Sequence, residues 1–225
     1  MTALETLFSK LENIKVIEDS IPYSQYTPID LSVSNSELSQ IELKNPNAFE
    51  TFIENHLGKN KAKVAFGGYN EVRNLYKKTS LFNDEQADER NIHIGMDLWI
   101  KAGTPVLAAL DGTVYGFDYN TGAGNYGPTI ILKHSFENQT FYTLYGHLSV
   151  ESIRDIEIDT HFKKGQQLAT LGESSVNGGY SPHLHFQIIK NIGENFSDYP
   201  GVCNLKDLEY YLENCPNPNL MLKIQ

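Results

Sequence analysis

Two textures of apolar spacing divide this chain. Residues 3–13 place apolar side chains at helical intervals, which predicts a short amphipathic helix. Residues 47–58 repeat the pattern, with Asn47 as the expected N-cap, Glu50 three residues on and Gly58 as the expected stop. Between them, residues 21–41 are rich in Ser, Pro and Tyr and read as an extended, irregular arm. From His93 onward the period shortens to that of strands. Apolar, β-branched segments cover residues 97–100, 105–110, 112–119, 129–134, 139–148, 166–171 and 183–190. Turn signals separate them at Ala102-Gly103-Thr104-Pro105, Asp111-Gly112, Glu137-Asn138 and Lys164-Gly165. This spacing predicts a mainly β protein with an antiparallel barrel or sandwich core. A last helix is expected over residues 204–214, stopped by Pro216 and Pro218. The expected organisation is therefore an N-terminal helical and extended arm (1–90), a β core (91–192) and a helical tail (193–225).

Charge and composition narrow the function. A net charge of −10 over 225 residues, with no basic patch, argues against nucleic acid and against anionic membrane surfaces as partners. No apolar run reaches the ~18 residues of a membrane helix. The first residues lack the basic start and unbroken apolar run of a signal peptide, so a cytoplasmic location is expected. The alternative is periplasmic or extracellular, should a leader precede this chain. Cys203 and Cys215 have no Cys-x-x-Cys partner and read as free thiols in the first case, with a disulfide open in the second.

The candidate chemistry is histidine-based. His183 and His185 stand two apart on an expected strand and so aim at one face, Cα atoms ~6–7 Å apart. Upstream, His93 and Asp97 would be ~13 Å apart on a straight strand, too far to share an ion, so the segment must bend and Gly95 allows it. Two imidazoles and a carboxylate form a ligand set suited to zinc rather than magnesium or calcium. No His-Glu-x-x-His occurs. His147, in Tyr145-Gly146-His147-Leu148, is a third isolated histidine. His134 reads as structural, His161 as exposed, and His56 as a helix-terminal residue favoured by the dipole. Residues 66–76 hold two glycines, Tyr69, Arg73 and Tyr76. They read either as a packed surface loop or as a groove wall whose Tyr69, Arg73 and Tyr76 bind substrate.

Together, His93-x-x-x-Asp97, Tyr145-Gly146-His147-Leu148 and Ser181-Pro182-His183-Leu184-His185-Phe186 resemble the lysostaphin-type (LytM-like) zinc metallopeptidases. The linking stretches 102–114, 127–134 and 164–172 resemble that family too, and the similarity runs over about residues 90–190. The resemblance implies an antiparallel β core with an open groove, one Zn²⁺ per chain held by His93, Asp97 and His185, and His147 and His183 as the two catalytic, non-ligand histidines. Which of the two is the base stays open. It implies hydrolysis of a peptide or amide bond, in a peptidoglycan-type peptide or a smaller one, by a monomer or weak oligomer. Residues 1–90 fall outside the resemblance and either shape the groove or block it. The alternative is a non-catalytic binding or regulatory module on the same fold; the presence of all five site residues favours the enzyme.

Overall fold

The computed structural model describes residues 3–42, 45–75, 89–136 and 138–225. Its strands are β1 (Tyr26–Pro28), β2 (Val64–Gly67), β3 (Glu71–Val72), β4 (Ile92–His93), β5 (Met96–Trp99), β6 (Pro105–Leu107) and β7 (Gly112–Asn120). They continue with β8 (Gly127–Phe136), β9 (Gln139–Gly146), β10 (His161–Phe162), β11 (Gln167–Thr170), β12 (His183–Ile189) and β13 (Val202–Cys203). The helices are α1 (Ala3–Lys10), α2 (Pro46–Asn60), α3 (Leu208–Asn214) and α4 (Asn219–Leu222).

Eight strands form one open sheet in the order β1-β2-β5-β12-β9-β8-β7-β10. Neighbours are antiparallel except β1 and β2, which run parallel. Two smaller sheets, β11-β6 and β13-β4-β3, pack around it. The mainly β, antiparallel, sandwich-like architecture agrees with the period of the sequence. Among the described residues the sheet does not close; β1 and β10 are its edges.

Several elements lie where the periodicity did not show them. The sheet draws its edge strand β1 from the stretch 21–41 expected to be an irregular arm, and β2 runs into the stretch 66–76 expected to be a loop or groove wall. Phe8, Ile14, Ile17, Val64 and Phe66 are buried in the same cluster as Leu98, Phe141 and Phe186. The rings of Phe8 and Phe141 meet edge-on at 5.0 Å. Strands of three or four residues carry too little alternation to announce themselves, and burial on the sheet makes them.

The cap of α2 also differs from expectation. Asn45, not Asn47, is the N-cap: its side chain accepts from Asn47 N and Ala48 N, and Pro46 fills the first turn where no N–H is needed. Gly58 does not stop the helix. Lys61 ends it in the left-handed conformation (φ 53°). In the tail, α3 starts at Leu208, later than expected, and α4 forms beyond the prolines.

Candidate metal centre

The site is a row across the main sheet. Register places Gly67 opposite Asp97, Asp97 opposite His185, and His185 opposite Gly146, on β2, β5, β12 and β9. Adjacent strands lie ~4.8 Å apart, so facing side chains on this row converge. His183, two residues along β12, shares that face and pairs with Trp99. His93 arrives from another sheet. It sits on β4 between Glu71 of β3 and Val202 of β13. The chain changes sheets between His93 and Met96, which is the expected bend. Gly95 is required there for room: a Cβ would stand 2.4 Å from His185 Cε1. His147 follows β9 with φ 63°, a left-handed conformation that few non-glycine residues adopt and that clusters at functional sites.

The structure brings His93, Asp97 and His185 into one buried group of candidate ligand atoms. His93 Nε2 to His185 Nδ1 is 2.9 Å, His185 Nδ1 to Asp97 Oδ1 is 3.2 Å, and His93 Nε2 to Asp97 Oδ1 is 3.3 Å. An ion with ~2.0 Å bonds to tetrahedral ligands spaces them ~3.3 Å apart. The triangle fits zinc closely.

The proton inventory sharpens this. His93 Nδ1 donates to Gly68 O at 2.8 Å, which leaves Nε2 as a bare lone pair. Gln187 fixes the other ring. Its Nε2 donates to Pro200 O (3.1 Å) and Cys215 Sγ (3.3 Å), so its Oε1 accepts the His185 Nε2 proton at 2.9 Å. His185 Nδ1 is then a lone pair too. Two lone pairs 2.9 Å apart, facing a carboxylate oxygen, repel unless a cation lies among them. The donor set therefore fits a zinc ion by its own chemistry.

His183 and His147 are built the same way. His183 Nδ1 donates to Ser181 O (2.8 Å) and His147 Nδ1 to Asn177 O (2.9 Å), so each turns its Nε2 lone pair elsewhere. His183 Nε2 is 3.9 Å from Asp97 Oδ1, and the two rings lie 4.2 Å apart. Trp99 stacks on His183 at 4.0 Å, and Tyr126 and Tyr180 flank His147 at 5.5 and 5.3 Å. Burial dominates the electrostatics. It lowers His93 and His183 to about 4, with the Arg73 charge also acting on His93. It likewise holds His147, beside His183, well below its ordinary value. Burial alone would raise the Asp97 carboxyl; His93, Arg73 and His183 pull it well below the usual carboxylate range.

A cavity of about 160 Å³ opens over these groups, walled by Tyr126, Tyr180, Arg90 and Tyr199 among others. Of the three residues expected to contact substrate, Arg73 lines this cavity, but its guanidinium reaches Glu71 and Asp97. Tyr69 donates its hydroxyl proton to Cys215 O at 2.8 Å. Tyr76 lies outside the described residues. His134 is buried away from the centre, its Nδ1 donating to Asp111 O, while His161 is exposed. His56 Nε2 lies 2.9 Å from Pro28 O. Cys203 and Cys215 are buried free thiols. Sequence reasoning missed Gln187, Tyr126 and Trp99. Gln187 and Trp99 each sit two residues beyond a ligand on a strand, a signal of shared face that periodicity offers.

The profile of "Peptidase family M23" matches residues 91–196. An "Uncharacterized metalloprotease" of Haemophilus influenzae is 38% identical over 95 residues, covering 42% of this chain and 18% of its own. The "Peptidoglycan DD-endopeptidase ShyC" of Vibrio cholerae is 36% identical over 99 residues, covering 44% of this chain and 20% of its own. The catalytic domain of the antimicrobial peptidase lysostaphin from Staphylococcus simulans aligns at a TM-score of 0.37 and 23% identity, over 54% of this chain and 80% of that domain. The chain spans about a fifth of the length of these two curated relatives. Residues 91–196, just under half of the chain, are thus similar to peptidase family M23.

Proposed function

We propose that this chain is a zinc-dependent metallopeptidase that hydrolyses a peptide or amide bond. The observation that carries the reading is the triangle of unprotonated donors, with sides 2.9, 3.2 and 3.3 Å, on His93, His185 and Asp97. The ligands would be His93 Nε2, His185 Nδ1 and Asp97 Oδ1. Zinc, when bound, supplies a Lewis acid that polarises a carbonyl and acidifies water.

The remaining chemistry belongs to the chain. His147 and His183 are neutral near pH 7 and present Nε2 lone pairs beside the ligand group, so one can accept a proton from the attacking water at Nε2. The same proton can pass to the leaving amine, which must depart protonated. Backbone carbonyls hold both Nδ1–H groups outward and prevent tautomer exchange. Trp99, Tyr126 and Tyr180 fix the two rings and keep bulk water from their faces.

A peptidoglycan-type peptide is the proposed substrate, supported by the naming of the Vibrio cholerae relative. A small soluble peptide pairs with the cytoplasmic location expected above; a cell-wall substrate requires contact with the wall. Metal analysis of the purified protein, together with hydrolysis assays on cross-linked muropeptides and on a peptide panel, tests the proposal. About one zinc per chain and zinc-dependent cleavage are expected, both lost in His185→Ala. Activity that survives in metal-free His185→Ala would refute it.

A further inference from the structure

Arg73 is 1% exposed, and a guanidinium that deep must be matched by charge. It meets two carboxylates. Its Nε lies 2.5 Å from Glu71 Oε2 and its Nη1 lies 2.6 Å from Asp97 Oδ2. The other Asp97 oxygen, Oδ1, faces the two histidine lone pairs. Resting on the zinc reading above, we infer that Arg73 is a positioning residue that holds Asp97 to ligation through one oxygen, with Glu71 anchoring Arg73.

A carboxylate can offer a cation one oxygen or both. With Oδ2 committed to a short, charge-assisted bond, only Oδ1 is left for the ion. Turning Oδ2 inward would strip a buried guanidinium of half its compensation. One-oxygen ligation leaves a coordination position for water or substrate, the condition that separates catalytic from closed zinc sites.

The surrounding backbone is shaped for this arrangement. Gly68 has φ 99°, and a Cβ there would stand 1.9 Å from Arg73 Nη2 and 2.9 Å from His93 Nδ1. The guanidinium therefore lies against the same peptide unit whose carbonyl takes the His93 proton. Residues 68–73 orient two of the three ligands, and all of them precede residue 91, where the family match begins. Leu31 N donates to Glu71 Oε1 at 3.1 Å, which ties the relay to the N-terminal segment.

The test uses the full chain, stripped of metal and titrated with Co²⁺, whose absorption separates four-coordinate from higher-coordinate sites, and with Zn²⁺ against a chromophoric chelator. The variants are Glu71→Gln, Glu71→Gln/Arg73→Gln and Arg73→Lys. The double variant removes the Glu71 and Arg73 charges together, so that Glu71 is not left as a lone buried charge, while Asp97 loses its guanidinium partner; thermal melts confirm that it folds. Expected are a four-coordinate cobalt spectrum for wild type and Glu71→Gln, and a shift to higher coordination in the double variant with zinc bound about 10- to 100-fold more weakly. Arg73→Lys, whose point charge cannot bridge both carboxylates, shifts in the same direction by less, and it carries the test should the double variant not fold. A folded variant without Arg73 that keeps the wild-type spectrum and affinity overturns the role of Arg73 while leaving the zinc reading intact. A wild-type chain that binds neither ion overturns both.

Discussion

Gly68 and His93 are locked together across a sheet change: the carbonyl of one takes the Nδ1 proton of the other at 2.8 Å, and no side chain larger than hydrogen fits between them. The bond fixes which nitrogen of His93 faces Asp97 and His185. A residue outside the family-matched segment thus decides the protonation pattern of a proposed ligand inside it.

Gly68→Ala should for that reason damage the site more than an ordinary turn substitution. The left-handed φ of 99° alone costs about 1–2 kcal/mol for a residue with a Cβ. Displacement of Arg73 and His93 adds to it. Denaturant melts and zinc competition should show loss of both stability and affinity; a loss of stability with unchanged affinity would mean that the turn is only structural.

Gln187→Met keeps most of the volume but removes the acceptor of the His185 Nε2 proton and the donor to Pro200 O. Loss of an outer partner of this kind weakens metal binding by about 10- to 100-fold. Isothermal titration with zinc measures it directly. An affinity within twofold of wild type would show that His185 needs no partner at Nε2.

Trp99→Leu removes the ring stacked on His183 at 4.0 Å and leaves all three proposed ligands in place. Zinc content should stay at one per chain while turnover falls on the order of 10-fold or more, part of the 10²–10⁴ that a positioned acid or base contributes. Trp99→Phe should recover part of the loss. A variant that loses zinc instead would place Trp99 in the support of the metal ligands.

Phe8→Ala tests whether the N-terminal helix is structural. Phe8 is fully buried against Phe141, so truncation should cost about 3–5 kcal/mol. Urea denaturation of the two proteins gives the difference. A value below 1 kcal/mol would mean that α1 is dispensable to the core.

His134 gives a pH signature separate from the metal centre. Burial lowers it to about 4, against about 6.5 when unfolded. Between those values the unfolded chain binds the extra proton, so stability rises with pH. The contribution is fully present above pH 6.5 and is lost as pH falls toward 4, on the order of 3 kcal/mol for a shift of this size. The stability difference between wild type and His134→Gln, measured from pH 4 to 8, should grow over that window and then level off. A flat difference would show that the ring titrates normally.

The sequence by itself determined the parts with a strong local period or a strong chemical spacing. The long strands Gly112–Asn120, Gly127–Phe136, Gln139–Gly146 and His183–Ile189 were legible, as was the convergence of His183 with His185 on one face. So was the need for a bend between His93 and Asp97, because strand geometry forbids the straight alternative. What only the tertiary structure decided are the relationships carried by register and burial. Strands of two to four residues have no period to read; Val64–Gly67 becomes a strand because the sheet beside it offers unpaired backbone and a buried face. The placement of Arg73 against Asp97, of Gln187 against His185 and of Gly68 against His93 spans 24, 2 and 25 residues. Only the nearest of these leaves a trace in spacing. The others exist because two sheets, the eight-stranded one and β13-β4-β3, meet at one point, and no local pattern encodes where separate sheets will meet.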